Sequence, residues 1–106
     1  RVREADANLS SVKQAVIDLR RRIRLEVEAA ALSMEESRER IAAREKELEA
    51  SGENLRLATG RYEVGAGDII EMIDAQVQSA RADTGHIDAL YDYSVSVAAL
   101  LRAIGR

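Results

Sequence analysis

The chain has 106 residues, of which 33% are charged, and it contains no proline, phenylalanine, tryptophan or cysteine. This composition excludes disulfides and thiol chemistry, and it is typical of long helices rather than of sheets. The formal net charge of −3 sums 16 basic and 19 acidic side chains that are interleaved, which indicates neither a nucleic-acid surface nor a membrane surface.

The first predicted element is a long helix over about residues 5–62, in which only Gly52 and Gly60 disfavour helical structure. Apolar or small residues recur there in alternating steps of three and four. This stripe consists of Leu9, Val12, Val16, Leu19, Ile23, Val27, Ala30, Met34, Ser37, Ile41, Arg44, Leu48, Ser51, Leu55, Ala58 and Tyr62.

Within the stripe, large residues keep a strict seven-residue interval from Val27 to Tyr62, and the alternate line is mostly small. Such a repeat predicts long helices that pack closely side by side. A helix of about 58 residues would be roughly 87 Å long, a length that suits an extended molecule and not a compact globule.

A turn is predicted at residues 63–68, because Gly65 and Gly67 supply the backbone freedom that a chain reversal needs. Asp68 then resembles an N-cap, and Glu71 three residues later completes a variant of the capping box. These signals predict the start of a second helix.

The second helix is predicted over about residues 69–104, with Gly105 at its end. Its stripe consists of Ile70, Ile73, Val77, Ala80, Thr84, Ile87, Tyr91, Ser94, Ala98 and Leu101, and a second apolar face carries Leu90, Val97 and Ile104. A helix that is apolar on two faces needs two neighbours. Because it is about 20 residues shorter than the first helix, about 30 Å of the first helix should overhang and be covered by something else.

Five segments in register resemble the second half of a TolC-type outer-membrane efflux repeat. They are Asn54-Leu55-Arg56-Leu57-Ala58, Arg61-Tyr62-Glu63-Val64-Gly65, Ile73-Asp74-Ala75-Gln76, Ala89-Leu90-Tyr91-Asp92-Tyr93 and Leu100-Leu101-Arg102-Ala103-Ile104-Gly105. Each segment alone is weak, but together they cover about half of the chain. Residues 1–53 resemble the family only in character, as a long charged helix.

The resemblance implies an all-α fold, namely a long, coiled-coil-like antiparallel hairpin that forms part of a trimeric α-barrel. On this interpretation residues 1–106 are a single periplasmic hairpin, an excised piece of a longer outer-membrane protein. The first helix is the long stave, the glycine turn is the periplasmic tip, and the second helix returns from it. The missing cover would be another short helix.

The family's tip is where the channel closes at rest and where the hairpin of a periplasmic adaptor docks. By position, the resemblance assigns that role to Arg61, Tyr62, Gly65, Gly67 and Asp68. A side chain at Gly65 would obstruct both the turn and a close approach by a partner. Some relatives carry a basic residue where Gly67 stands and make a polar gate contact with it, so the resemblance does not define the gate chemistry of this chain.

The resemblance further implies a homotrimer that works with an adaptor and, indirectly, with an inner-membrane pump, in multidrug efflux or type I secretion. The alternative is a coiled-coil interaction module, such as an adaptor hairpin or a signalling linker. A stand-alone coil of that kind would keep one apolar stripe and a polar back.

Phosphate binding, metal binding and catalysis are disfavoured by the sequence. The arginines at 20–22 and 24 could grip phosphates, but nearby acidic residues favour a solvated or salt-bridged face. His86 and Asp83 make one metal-ligand pair where three or four ligands are needed, so no metal or cofactor is expected. No catalytic motif is present, and we expect no enzyme. Gly52, Gly60 and Gly85 could permit either close helix contact or bending.

Overall fold

The computed structural model describes residues 1–105, which form two helices joined by a short turn. Helix α1 spans Val2–Glu63 and helix α2 spans Ile69–Ala103, and no strand occurs in the described part of the chain. The predicted all-helical antiparallel hairpin is confirmed. Helix α1 begins three residues before the predicted Ala5.

The hairpin is a rod of 94 × 19 × 14 Å. Its long dimension equals the length of α1, because 62 residues at about 1.5 Å each extend for about 93 Å. Exposed ion pairs three residues apart line α1, namely Glu35–Arg38, Arg44–Glu47 and Glu53–Arg56. The hydrogen bond from Arg56 and its charge lower the pKa of the Glu53 carboxyl. The interleaved charged side chains therefore keep the outer surface of the rod hydrated. Exposed ion pairs of this kind add little to the stability of the fold.

The two helices meet along a seam of small residues. Its buried members are Ser37 and Ala58 of α1 and Ala75, Ala82, Ala89 and Ser96 of α2. On α2 they recur every seven residues, and on α1 the half-buried Ala30 and Ser51 belong to the same line. Side chains of this size allow two helix backbones to approach closely along a heptad seam.

Three contacts fix how the helices are aligned. Near the turn, Arg61 pairs with Glu71, and further along α1, Glu45 lies near His86 and Arg44 lies against Gly85. Numbers rise along one helix as they fall along the other, so Ala58 is level with Ala75 and Ser37 is level with Ser96. Small residues of the two helices therefore face one another along the seam, except where Arg44 is level with Ala89.

Larger residues flank this seam and are half-buried. In α1 they are Val27, Met34, Ile41, Leu48 and Leu55, all of them members of the predicted stripe. In α2 they are Met72, His86, Tyr93 and Leu100, and the small Ser79 occupies the same line. The stripe predicted for α1 is thus the face that meets α2, apart from its exposed members Arg44 and Tyr62 and those in the N-terminal part.

The stripe predicted for α2 does not meet α1. All ten of its members, from Ile70 to Leu101, are exposed, and so are Leu90 and Ile104 of the second predicted face. The residues that pack against α1 are instead the alanines and serines of the seam. The predicted contact face of α2 was wrong because the prediction followed the large apolar side chains, whereas a close contact between helices requires small ones.

Arg44 is the one large residue in the small line of α1, and Gly85 makes room for it. A Cβ atom at position 85 would lie 3.2 Å from Nη1 of Arg44. Gly85 therefore lets the guanidinium of Arg44 lie close to the α2 backbone. A Cβ at Gly52 or Gly60 would meet nothing within 4 Å, so neither glycine has this role.

The N-terminal part of α1 extends beyond α2. Residues 1–26 are all exposed, and Val27 is the first half-buried residue. Helix α1 has 62 residues and α2 has 35, so the overhang is about 40 Å, longer than the sequence predicted. The apolar residues Leu9, Val12, Val16, Leu19 and Ile23 continue the seam stripe there without a partner. Within residues 1–105, neither helix is long and apolar enough to cross a membrane.

We expect Ala82→Leu to destabilise the hairpin by about 1–3 kcal/mol, because the added atoms overpack the seam. Ala80→Leu is the matched control, since it makes the same change at an exposed position of the same helix. Thermal unfolding of the 106-residue chain, followed by circular dichroism, compares the two variants. Equal shifts in Tm would contradict the small-residue seam.

Candidate functional site

Backbone hydrogen bonds close the turn at the end of α1. The Arg61 carbonyl accepts from the N–H groups of Ala66, at 2.8 Å, and of Gly67, at 3.0 Å. The Gly65 N–H donates to the Tyr62 carbonyl at 3.1 Å. Gly65 has a φ of +77°, a left-handed conformation that favours glycine, so the first glycine of the turn is needed for its backbone.

Asp68 caps the start of α2, as the sequence predicts. Its carboxylate accepts from the backbone N–H groups of Ile70 and Glu71. The second half of the predicted capping box has a different form, because Glu71 directs its carboxylate across the turn to Arg61. The turn is therefore held by one side chain at the helix start and by another that reaches the opposite helix.

The Arg61–Glu71 ion pair joins the last turn of α1 to the first turn of α2. Arg61 Nη1 lies 2.6 Å from Glu71 Oε1, and the two side chains are 56% and 42% exposed. Each charge also suits its helix end, since cations are favoured at C-termini and anions at N-termini. Sequence reasoning named Arg61 but gave Glu71 only a capping role.

Apolar side chains surround the turn and are open to solvent. Val64 is 78% exposed and Ile70 is 65% exposed, and Tyr62 and Ile69 are also exposed. Sequence reasoning missed Val64, Ile69 and Ile70 as part of this end of the molecule. Their signal was available, because apolar residues directly beside a two-glycine turn have few ways to become buried within a hairpin.

The predicted site residues occupy one end of the rod. Arg61 and Gly67 are in contact, Gly65 forms the crest of the turn, Tyr62 precedes it and Asp68 follows it. We define the tip as residues 61–71. It combines a closed backbone, a helix cap, an ion pair between the helices and an exposed apolar surface.

Within residues 1–105, no group of three or more His, Asp or Glu residues could hold a metal ion. His86, the only histidine, is half-buried beside the seam and is not part of the tip. Its Nε2 atom is buried without a hydrogen-bond partner and lies 3.8 Å from Glu45 Oε1.

Comparison with known proteins identifies one family. The family model described as outer membrane efflux protein matches residues 1–106. The match includes the first helix, where the sequence motifs gave only a general likeness. No curated protein and no solved structure matches the chain.

We expect Asp68→Ala to destabilise the start of α2 by about 1 kcal/mol, because two N–H groups lose their acceptor. Asp68→Ser keeps an oxygen at the cap and should cost much less. Amide hydrogen exchange at Ile70 and Glu71 measures the difference. If both variants exchanged at the same rate as the unaltered chain, the cap would have no role in the tip.

Proposed function

The chain belongs to the outer membrane efflux protein family, and from this premise we propose that it is a wall segment of the periplasmic α-barrel of a trimeric channel. In this proposal the hairpin is one stave of the tunnel. It acts as a passive conduit for efflux or type I secretion, and a separate inner-membrane pump supplies the energy. The tip docks a periplasmic adaptor.

The observation that carries the proposal is the exposed apolar stripe of α2. One side of this helix is already used by the seam with α1. A different side carries the exposed stripe that includes Ile73, Ile87 and Tyr91. A helix with two apolar sides needs two neighbours, and the hairpin provides only one.

A third side of α2 is mostly polar. It carries Asp74, Gln78, Arg81, Asp88 and Asp92, all of them exposed, and one exposed apolar residue, Val95. Helical geometry spaces these residues roughly a third of a turn from both the seam and the apolar stripe. Such a helix has two lateral contacts and one wetted side, the arrangement that a stave in a water-filled tunnel needs.

Repetition of such a stave around an axis gives a closed ring. Each hairpin would offer its exposed stripe to the next, and a ring leaves no unsatisfied edge. The overhang of α1 fits the same scheme, since another short helix of the protein would continue where α2 ends and cover residues 1–26.

The alternative of a stand-alone coiled-coil module has less support. A two-helix coil with no further neighbours would have a polar back, and α2 has an apolar one. The many exposed large apolar residues, which extend from Val2 to Ile104, also favour a larger assembly over an isolated coil.

We propose that the tip binds the adaptor through its apolar surface and its open crest. A Cβ atom at Gly65 would meet nothing within 4 Å, so the crest is free for the close approach of a partner. Val64 and Ile70 are exposed at the same end of the rod, where an apolar partner surface would bury them.

Cells that express the whole protein should yield it in the outer-membrane fraction, as a trimer in mild detergent. Ile87→Asp should reduce the trimeric fraction, because a carboxylate on the apolar stripe costs about 2 kcal/mol or more when it is buried without a partner. Gln78→Asp is the control, since it introduces the same residue on the polar side. Recovery of the unaltered protein from the inner membrane or the cytosol would refute the conduit.

We expect Gly65→Val to prevent adaptor docking and to impair export while the trimer still assembles. Valine at a positive φ strains the turn, and its side chain fills the open crest. The measurement is made in intact cells of the source organism. A cysteine-to-amine crosslinker on Val64→Cys should join the channel to an adaptor, identified by mass spectrometry, and the added valine should abolish this product.

Gly60→Ala is the control for the docking assay, because a Cβ at that position also meets nothing within 4 Å and the backbone is helical. Crosslinking at Val64 that is unaffected by Gly65→Val would count against docking at the tip.

A further inference from the structure

The Arg61–Glu71 ion pair is unusual within this hairpin because it connects the two helices. Three other pairs of arginine and glutamate in residues 1–105 lie within α1 and are three residues apart. The other contact between ionisable side chains of the two helices, Glu45 with His86, is 3.8 Å long and is an ion pair only when the histidine is protonated. Arg61 with Glu71 is thus the short charged link across the turn.

Gly67 leaves the space in which this link forms. Its φ lies outside the left-handed region, so the backbone alone does not require glycine here. A Cβ atom at this position would lie 3.1 Å from Arg61 Cβ and 3.3 Å from Glu71 Oε2. Any side chain at position 67 would therefore press on the carboxylate and on the arginine that binds it.

Arg61 also holds the loop through its main chain. Its carbonyl accepts from the N–H groups of Ala66 and Gly67, while its side chain holds Glu71. Movement of Arg61 would alter both sets of bonds together. The position of Arg61 therefore determines how the loop between the helices is presented.

We propose that Glu71 is a positioning residue of the tip, which acts through Arg61 and needs the space left by Gly67. We name these three residues the tip clasp. The proposal rests on the docking function proposed above and deepens it. Because the guanidinium is engaged within the hairpin, the partner meets Val64 and Ile70, and recognition is apolar and not directed at a free charge.

A double-mutant cycle in the whole trimeric protein tests the clasp. Arg61→Gln and Glu71→Gln should each speed amide exchange at Ala66 and Gly67 by about twofold to fivefold, as expected for a half-exposed ion pair. The double variant should exchange no faster than either single variant, because the two side chains act as one unit. Additive effects would overturn the clasp.

Two further variants make the test specific. Gly67→Ala should speed amide exchange at Ala66, because its Cβ would press on Arg61 Cβ and on Glu71 Oε2, and unchanged exchange there would refute the need for space at position 67. Glu53→Gln is the matched control, since it breaks a pair of the same 2.6 Å length that lies within α1. Glu53→Gln should leave the exchange rates of the tip amides unchanged. An increase equal to that in Glu71→Gln would refute a specific role for Glu71.

The crosslinking assay at Val64→Cys separates the clasp from docking. Glu71→Gln should lower the yield of adaptor crosslink, and it should lower it no further when combined with Arg61→Gln. Unchanged crosslinking in Glu71→Gln would refute the positioning role. If the protein with native Arg61 and Glu71 gave no adaptor crosslink while the exchange cycle was coupled, the docking function would fail and the clasp would remain only a structural link.

Discussion

The close approach of two helices along a seam of alanine and serine is the constraint on which the rest of this molecule depends. A seam of this kind brings the backbones together, but its small side chains bury little apolar surface. Each buried methylene contributes about 0.8 kcal/mol, while each ordered residue costs about 1–2 kcal/mol of backbone entropy. The seam therefore aligns the helices without being able to stabilise so long a rod. Stabilisation has to come from the large apolar residues, and in the hairpin most of these point outward.

The exceptions in the seam help to define its register. A seven-residue repeat of similar small residues is compatible with shifts of seven residues, because each shift again places small residues together. Arg44 interrupts this repeat, and in the observed alignment its guanidinium lies over Gly85, where a Cβ would be 3.2 Å from Nη1. A shift of the helices by one heptad would place Arg44 against a position that has a side chain. Arg44 and Gly85 thus favour the observed alignment.

The same alignment reaches the tip. Ala58 and Ala75 are the last buried members of the seam, and beyond them the chain is held by the cap at Asp68, two bonds to the Arg61 carbonyl and the Arg61–Glu71 pair. These interactions are few and largely exposed. In the proposed docking, a partner would therefore act on a part of the hairpin that is held by few interactions, which suits a site that changes conformation.

The local features of the chain were determined by its sequence. Helical structure, the half-buried stripe from Val27 to Leu55, the glycine turn and the Asp68 cap all depend on neighbours within a few residues, so spacing and residue type suffice to predict them. The family motifs likewise located the tip residues Arg61 and Gly65.

Only the tertiary structure decided which face of α2 meets α1, where Glu71 directs its carboxylate and why Gly85 is a glycine. The reason is physical. The alanine face and the isoleucine face of α2 repeat with the same helical period. Which of them packs against α1 depends on the distance between the two helices. That distance is a property of the pair, and the pattern of one helix does not contain it.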